Sequence, residues 1–154
     1  MVIDAQGRPG RVIMARLLPG TDLIKGIEEV CQKNEIDNGV ISTCIGSLRQ
    51  AAFIYALPDK DKYYDIVYSE PVIKAGEFEF LNGQGLVARD DNGKFQIHLH
   101  ATISDSDMSL NGCHVIEGNI VLATIEVVIT ELLDMRISRN YHEESGFYFF
   151  QPQQ

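Results

Sequence analysis

Residues Lys94 to Ser104 alternate without interruption. Phe95, Ile97, Leu99, Ala101 and Ile103 fall on one parity, and Gln96, His98, His100, Thr102 and Ser104 on the other. A period of two predicts a strand with an apolar and a polar face, so His98 and His100 share the polar side. Earlier in the chain the period changes. Leu23, Ile27, Val30 and Cys31, with Ile24 beside them, recur at helical spacing, while Lys25, Glu28, Glu29, Gln32 and Lys33 cover the other side. Thr21 is placed to cap this helix and Asp22 to favour its positive end. The turn residues Asp37-Asn38-Gly39 end it near Asn34. Before it, Arg11 to Leu18 is apolar and extended until Pro19-Gly20 breaks the run. After it, strand signals dominate: Val40 to Ile45, Gln50 to Ala56, Asp65 to Tyr68, Glu77 to Leu81, Gly85 to Ala88, Phe95 to Ile103 and Ile120 to Ile129. The connections Leu57-Pro58-Asp59-Lys60-Asp61 and Asp90-Asp91-Asn92-Gly93 carry turn chemistry. Strands in succession with short turns predict a mainly antiparallel β-sheet. One long helix packed on it makes an α+β domain.

At 154 residues, with 45% hydrophobic and 23% charged positions, the chain has the size of one domain with its own core. The expected division is an N-terminal extension over 1–10, a single domain over 11–150 and a polar tail over 151–154. Phe147, Tyr148, Phe149 and Phe150 just before that tail need cover from the core or from a neighbouring subunit. No apolar run is long enough to cross a bilayer, and Met1-Val2-Ile3-Asp4 lacks the basic head and apolar stretch of a secretion signal, so a cytoplasmic location is expected. Cys31, Cys44 and Cys113 are an odd number without CxxC spacing and read as small buried hydrophobes in a reducing compartment. The net charge of −9 disfavours a polyanionic partner, since DNA is usually held by a surplus of Lys and Arg. Arg8-Pro9-Gly10-Arg11 shares the core residues of minor-groove hooks but has no flanking basic run, and reads as a turn before the first strand.

Chemistry concentrates on three histidines. Asp105 to Ser109 is turn-rich, and a chain reversal symmetric about Asp107 places His114 opposite His100 on the returning strand. Directly paired residues face the same side with Cβ atoms roughly 5 Å apart, so three imidazoles can converge. Three neutral imidazoles with water make an open site for a divalent ion, most often zinc. The alternative is histidines on the solvent face of a sheet, which need no ligand. Cys113, one residue before His114, points to the other face. In Val121 to Ile129 both faces are apolar apart from Thr124 and Glu126, so this strand is expected to be central and the Glu126 carboxylate to need a partner. Glu126 can orient an imidazole, act as a fourth ligand, or pair with Arg16 or with an arginine across a subunit contact. Glu117, three residues past His114, is the weaker ligand candidate.

Four stretches taken together resemble the plant and prokaryote conserved (PPC) domain, found alone in bacteria and archaea and fused to AT-hooks in plants. They are Arg16 to Leu23, similar to the family's strand-to-helix entry; Ile41-Ser42 to Gly46-Ser47-Leu48; Gly76-Glu77-Phe78-Glu79-Phe80-Leu81; and His98-Leu99-His100 with Gly112-Cys113-His114. The resemblance covers Arg16 to about Ile129. It implies a homotrimer in which a sheet carries a helix, a metal site on His98, His100 and His114, and a DNA-binding or transcription-regulatory role. It also implies an architecture similar to acetolactate decarboxylase, which leaves open a metal-dependent lyase or hydrolase acting on a small carbonyl metabolite. The stretch Gly76 to Leu81 matches the plant partner-contact signature except that Glu77 replaces Arg and Phe80 replaces Ile. Cys113 stands where the family has a second Gly, a change bearing on the backbone that presents His114.

Overall fold

The computed structural model describes residues 2–154, with Cys113 described by its backbone alone, so the expectations for the Cys113 side chain lie outside what is described. In chain order the elements are β1 (Arg8–Leu17), α1 (Leu23–Lys33), β2 (Gly39–Ile54), β3 (Ala56–Pro58), β4 (Ile66–Tyr68), β5 (Val72–Arg89), β6 (Phe95–Ser104), β7 (Leu110–Val115), β8 (Ile120–Leu133), β9 (Arg136–His142) and β10 (Phe147–Gln153). Eight strands form one sheet in the order β1-β8-β2-β7-β6-β5-β9-β10, and β3 and β4 form a separate small hairpin. The ladders are antiparallel, apart from a single parallel pairing of Arg89 with Ser138. β2 also pairs with β5, so β2, β5, β6 and β7 close a circuit of ladders.

The α+β expectation holds in its coarse form, with mostly sheet and one α-helix. That helix has 11 residues, about three turns, and is not long. Leu23, Ile24, Ile27 and Cys31 are buried on one side of it and join a continuous core with Ile41, Leu48, Phe78, Phe80, Leu99, Ile125 and Ile129. Its N-cap is Asp22, not Thr21. The Asp22 Oδ1 accepts from the Lys25 backbone N–H (3.1 Å), and Oδ2 accepts from that of Gly118 (2.6 Å). One carboxylate thus starts the helix and ties down the loop between β7 and β8. No helix among the described residues is long and apolar enough to cross a membrane.

The strand boundaries differ from expectation in an instructive way. Val40 to Ile45 and Gln50 to Ile54 fall on one 16-residue strand, β2, while Ala56, expected to close the second of these, opens β3; Glu77 to Leu81 and Gly85 to Ala88 fall on one 18-residue strand, β5. Gly46 and Gly83, which lie between the expected strand segments, allow close packing. A Cβ at Gly46 would stand 2.1 Å from the Thr124 carbonyl oxygen, and one at Gly83 2.7 Å from the Phe80 ring. Residues 8–11 belong to β1 and are not a turn. Arg8 pairs with Asp134 (2.6 Å) and Arg11 with Glu131 (2.8 Å) at the far end of β8. Residues 151–153 continue β10, and Gln154 exchanges hydrogen bonds with the Gln6 backbone, so the polar end of the chain is held in place.

Candidate metal centre

β6 fulfils the alternation that predicts it. Ile97, Leu99, Ala101 and Ile103 are buried, while His98 and His100 lie on the opposite face. The pairing with β7 sets His100 opposite His114, Thr102 opposite Gly112 and Ser104 opposite Leu110, a reversal symmetric about residue 107. Asp105 fixes that register. Its Oδ1 accepts from the backbone N–H groups of Asp107 (3.1 Å) and Ser109 (2.9 Å), and its carbonyl accepts from Met108 (2.9 Å), which takes φ +62°. The far edge of β7 rests on β2, where Ile54 faces His114. On the other side of β6, Gly85 lets β5 approach: a Cβ there would stand 2.1 Å from the His98 carbonyl oxygen.

The three imidazoles meet. One ligand nitrogen from each of His98, His100 and His114 lies within 4.8 Å of the others, and the ring centroids are 4.7 to 4.9 Å apart. The Nε2 atoms of His98 and His100 are 3.0 Å apart. A tetrahedral ion with Zn–N bonds of about 2.0–2.1 Å would set its ligand nitrogens about 3.3 Å apart, so the donor set fits a single cation.

Electrostatics favours the ligand-competent form. Burial, reinforced by the Arg139 charge and the neighbouring imidazoles, pushes His98 down to about 3. Burial, then His100 and Arg139, pushes His114 down to about 4. Both rings are therefore neutral at physiological pH, with lone pairs free for coordination.

Sequence reasoning did not find the aromatic and cationic wall around these rings. Phe150 on β10 stacks on His98, with centroids 5.6 Å apart and planes 12° apart. Tyr68 on β4 meets His114 edge-on at 5.3 Å and leans on Phe147 at 5.1 Å. The Tyr55 hydroxyl donates to the Gly112 carbonyl, tying β7 to the end of β2. Arg139 on β9 donates from Nη1 to the Ile97 carbonyl (3.0 Å). The run from Phe147 to Phe150 signalled that something covers it; nothing in the sequence says that Phe150 covers a histidine.

The two carboxylate candidates lie elsewhere. Glu126 sits on β8 opposite Arg16, and its Oε1 accepts from Thr124 Oγ1 (2.7 Å). Glu117 pairs with Lys25 (3.3 Å). Neither belongs to the histidine group among the described residues. The Gly76 to Leu81 stretch lies on β5, paired with Gly46, Ser47 and Leu48 of β2. Phe78 and Phe80 are buried there, which leaves Glu77, Glu79 and Leu81 facing outward.

The bifunctional protein GlmU of Synechococcus sp. (strain JA-3-3Ab) is 29% identical over 150 residues, 93% of this chain and 22% of that protein. The chain spans about a fifth of the length of the curated relatives it matches. Among solved structures, a PPC protein of Pyrococcus horikoshii superposes with a TM-score of 0.79 at 22% identity, covering 96% of each chain. A metal-containing protein of Archaeoglobus fulgidus gives 0.77 at 24% identity, covering 97% of this chain and 98% of that one. A candidate DNA-binding protein of Bacteroides thetaiotaomicron gives 0.76 at 22%, covering 94% and 96%. The family model of the Plants and Prokaryotes Conserved (PCC) domain matches residues 4–133, and with that match over most of its length the chain belongs to this family.

Proposed function

We propose that this protein holds a divalent metal ion, zinc, on His98, His100 and His114, as a cytoplasmic homotrimer. The observation that carries the reading is the convergence of three imidazole nitrogens within 4.8 Å of one another, two of them on rings kept neutral by burial. The metal-containing Archaeoglobus fulgidus protein has the same fold. When bound, such an ion supplies a Lewis-acidic centre with a coordination position that the protein leaves open. The chain's own part is to set the three rings: the Asp105 turn fixes His114 against His100, and Phe150 holds the plane of His98. Elemental analysis of purified protein tests this. About one zinc per chain is expected in the wild type and none in the triple His→Ala variant; equal content in both would end the proposal.

Self-association is supported by exposed apolar side chains on the outer side of β1, β8 and β2, interleaved with Arg16 and Glu126, and the number three comes from the family resemblance. Val12 and Met14 are each 63% exposed and Ile45 44%, and Val128 lies beside Met14 in register. Light scattering is expected to give three times the chain mass of 17.2 kDa.

A DNA-associated role is the second reading, favoured by the description of the Bacteroides thetaiotaomicron structure. The charge of −9 opposes it, and Arg8 and Arg11 are already committed to Asp134 and Glu131. Retention by duplex DNA at ~150 mM salt discriminates, since binding through a few phosphates weakens steeply as salt rises.

A further inference from the structure

Arg139 is placed beside the histidine strand and left without a counter-charge. Its Nη1 is anchored on the Ile97 carbonyl (3.0 Å), and its guanidinium carbon lies 5.6 Å from the Tyr148 ring centroid and 5.3 Å from that of Phe150, the ring that stacks on His98. These contacts fix the planar fork. Its Nε is buried and has no hydrogen-bond partner, and no carboxylate pairs with it among the described residues. Leaving a buried donor unpaired is costly, and a half-buried cation without a counter-charge more so.

The same arginine lines a cleft that it shares with one histidine of the site, His114. A cleft of about 260 Å³ is lined by Arg139, His114, Lys94 and Tyr148, with Glu28 and Glu117 at its wall. Glu117 is engaged by Lys25, and burial, followed by the Glu117 charge, raises the Glu28 carboxyl above its usual range. The three imidazoles bring no negative charge, so a divalent ion on them would place two more positive charges near Arg139. A carboxylate balances the guanidinium, a second one on the same molecule offsets part of the ion's charge, and an arginine fork is matched in shape and charge to such a group.

We propose that Arg139 anchors the carboxylate of a small organic anion in the cleft beside His114, next to the three-histidine site. The contact with Arg139 stands on its own; the second contact, to the ion, rests on the metal reading above.

Calorimetric titration with malonate, using malonamide as the uncharged isostere, tests the proposal on both metal-free and zinc-loaded protein. Malonate is expected to bind both forms, and the loaded form more tightly. Malonamide is expected to bind at least tenfold more weakly. Arg139→Gln is expected to lose at least tenfold in malonate affinity while keeping its zinc content, with Arg139→Lys intermediate because it keeps the charge and loses the fork. If Arg139→Gln does not fold, as judged by near-ultraviolet circular dichroism, the lysine variant carries the comparison. A wild type that takes up no zinc removes the metal reading and leaves the metal-free titration to decide the Arg139 contact. Equal malonate affinity of wild type and the folded arginine variants, equal affinity for malonamide, or tighter binding of inorganic phosphate overturns the proposal.

Discussion

His98 and His100 are two positions apart on one strand, and their Nε2 atoms stand 3.0 Å apart, the distance of a hydrogen bond between neutral rings or of two ligands turned toward one ion. Alternation along β6 puts both rings on one face, and the β6–β7 ladder supplies the third from across the hairpin. Each ring should then matter for metal affinity. Replacing even an outer-shell partner of a metal ligand typically costs 10- to 100-fold in affinity. Single His98→Ala, His100→Ala and His114→Ala variants are therefore each expected to lose about 100-fold or more, measured by competition with a chromogenic chelator. A variant that keeps wild-type affinity shows that its ring is not a ligand.

Asp105 controls the site from a distance. Its carboxylate satisfies two backbone donors of the β6–β7 turn, and hydrogen bonds to charged groups contribute more than neutral ones. Asp105→Ala is expected to cost about 1–3 kcal/mol in denaturant unfolding. It should also weaken metal binding without touching a ligand, because the turn sets which residue faces His100. Asp105→Asn, which keeps an acceptor oxygen, should recover most of both losses. Unchanged metal affinity in a destabilised Asp105→Ala protein would show that the ladder alone holds the register.

The histidine site was legible because a strand's period of two and a symmetric turn are local rules, and both operate at His98, His100 and His114 without help from the rest of the chain. The helix was legible for the same reason, although its cap was misplaced by one residue: Asp22 does the capping because its second oxygen also serves Gly118, a contact 96 positions away. What surrounds the site was not legible. Phe150 and Arg139 reach it through the β9–β10 hairpin, whose docking beside β5 rests on long-range packing that no local pattern encodes. Glu126 misled because an acidic residue in an apolar strand suggests a buried role. It instead lies on the outer side of the sheet with Thr124 as its donor.

Gly46 tests how the long strands pack. It takes φ +149°, and a Cβ there would meet the Thr124 carbonyl oxygen at 2.1 Å and the Ile125 Cα at 2.8 Å, both backbone atoms that cannot swing away. Gly46→Ala must therefore part β2 from β8 or distort one of them. A loss of about 2–4 kcal/mol is expected, in the range seen for strained or overpacked sites. Gly112→Ala is the matched control, since a Cβ there meets nothing within 4 Å. Equal destabilisation of the two would mean that collision with β8 does not set the cost at Gly46, since the entropy change of Gly→Ala by itself favours the folded state.

The acid sensitivity of the metal-free protein follows from the same burial that prepares the ligands. A histidine in an unfolded chain titrates near 6.5, whereas burial holds His98 to about 3 and His114 to about 4 in the folded protein. Between pH 6.5 and about 4 the unfolded state therefore binds more protons than the folded state. Stability must fall as pH falls through that window, by up to about 1.4 kcal/mol per pH unit for each fully shifted group and by less here because both rings are partly exposed. Above pH 6.5 neither ring contributes a slope. Denaturant unfolding of metal-free protein at pH 7.0, 6.0, 5.0 and 4.5 is expected to trace this decline. A His98→Gln/His114→Gln double variant, whose amides do not titrate, should show a flatter profile over the same range. Bound metal adds an offset and does not remove this slope: protons compete only weakly for His98 and His114, titrating at about 3 and 4, so the loaded protein should lie above the metal-free profile while declining with it, because the protons are taken up by the unfolded chain. Parallel profiles for wild type and the double variant would mean that neither ring is held neutral by the fold, and the readiness of the site for a cation would need another source.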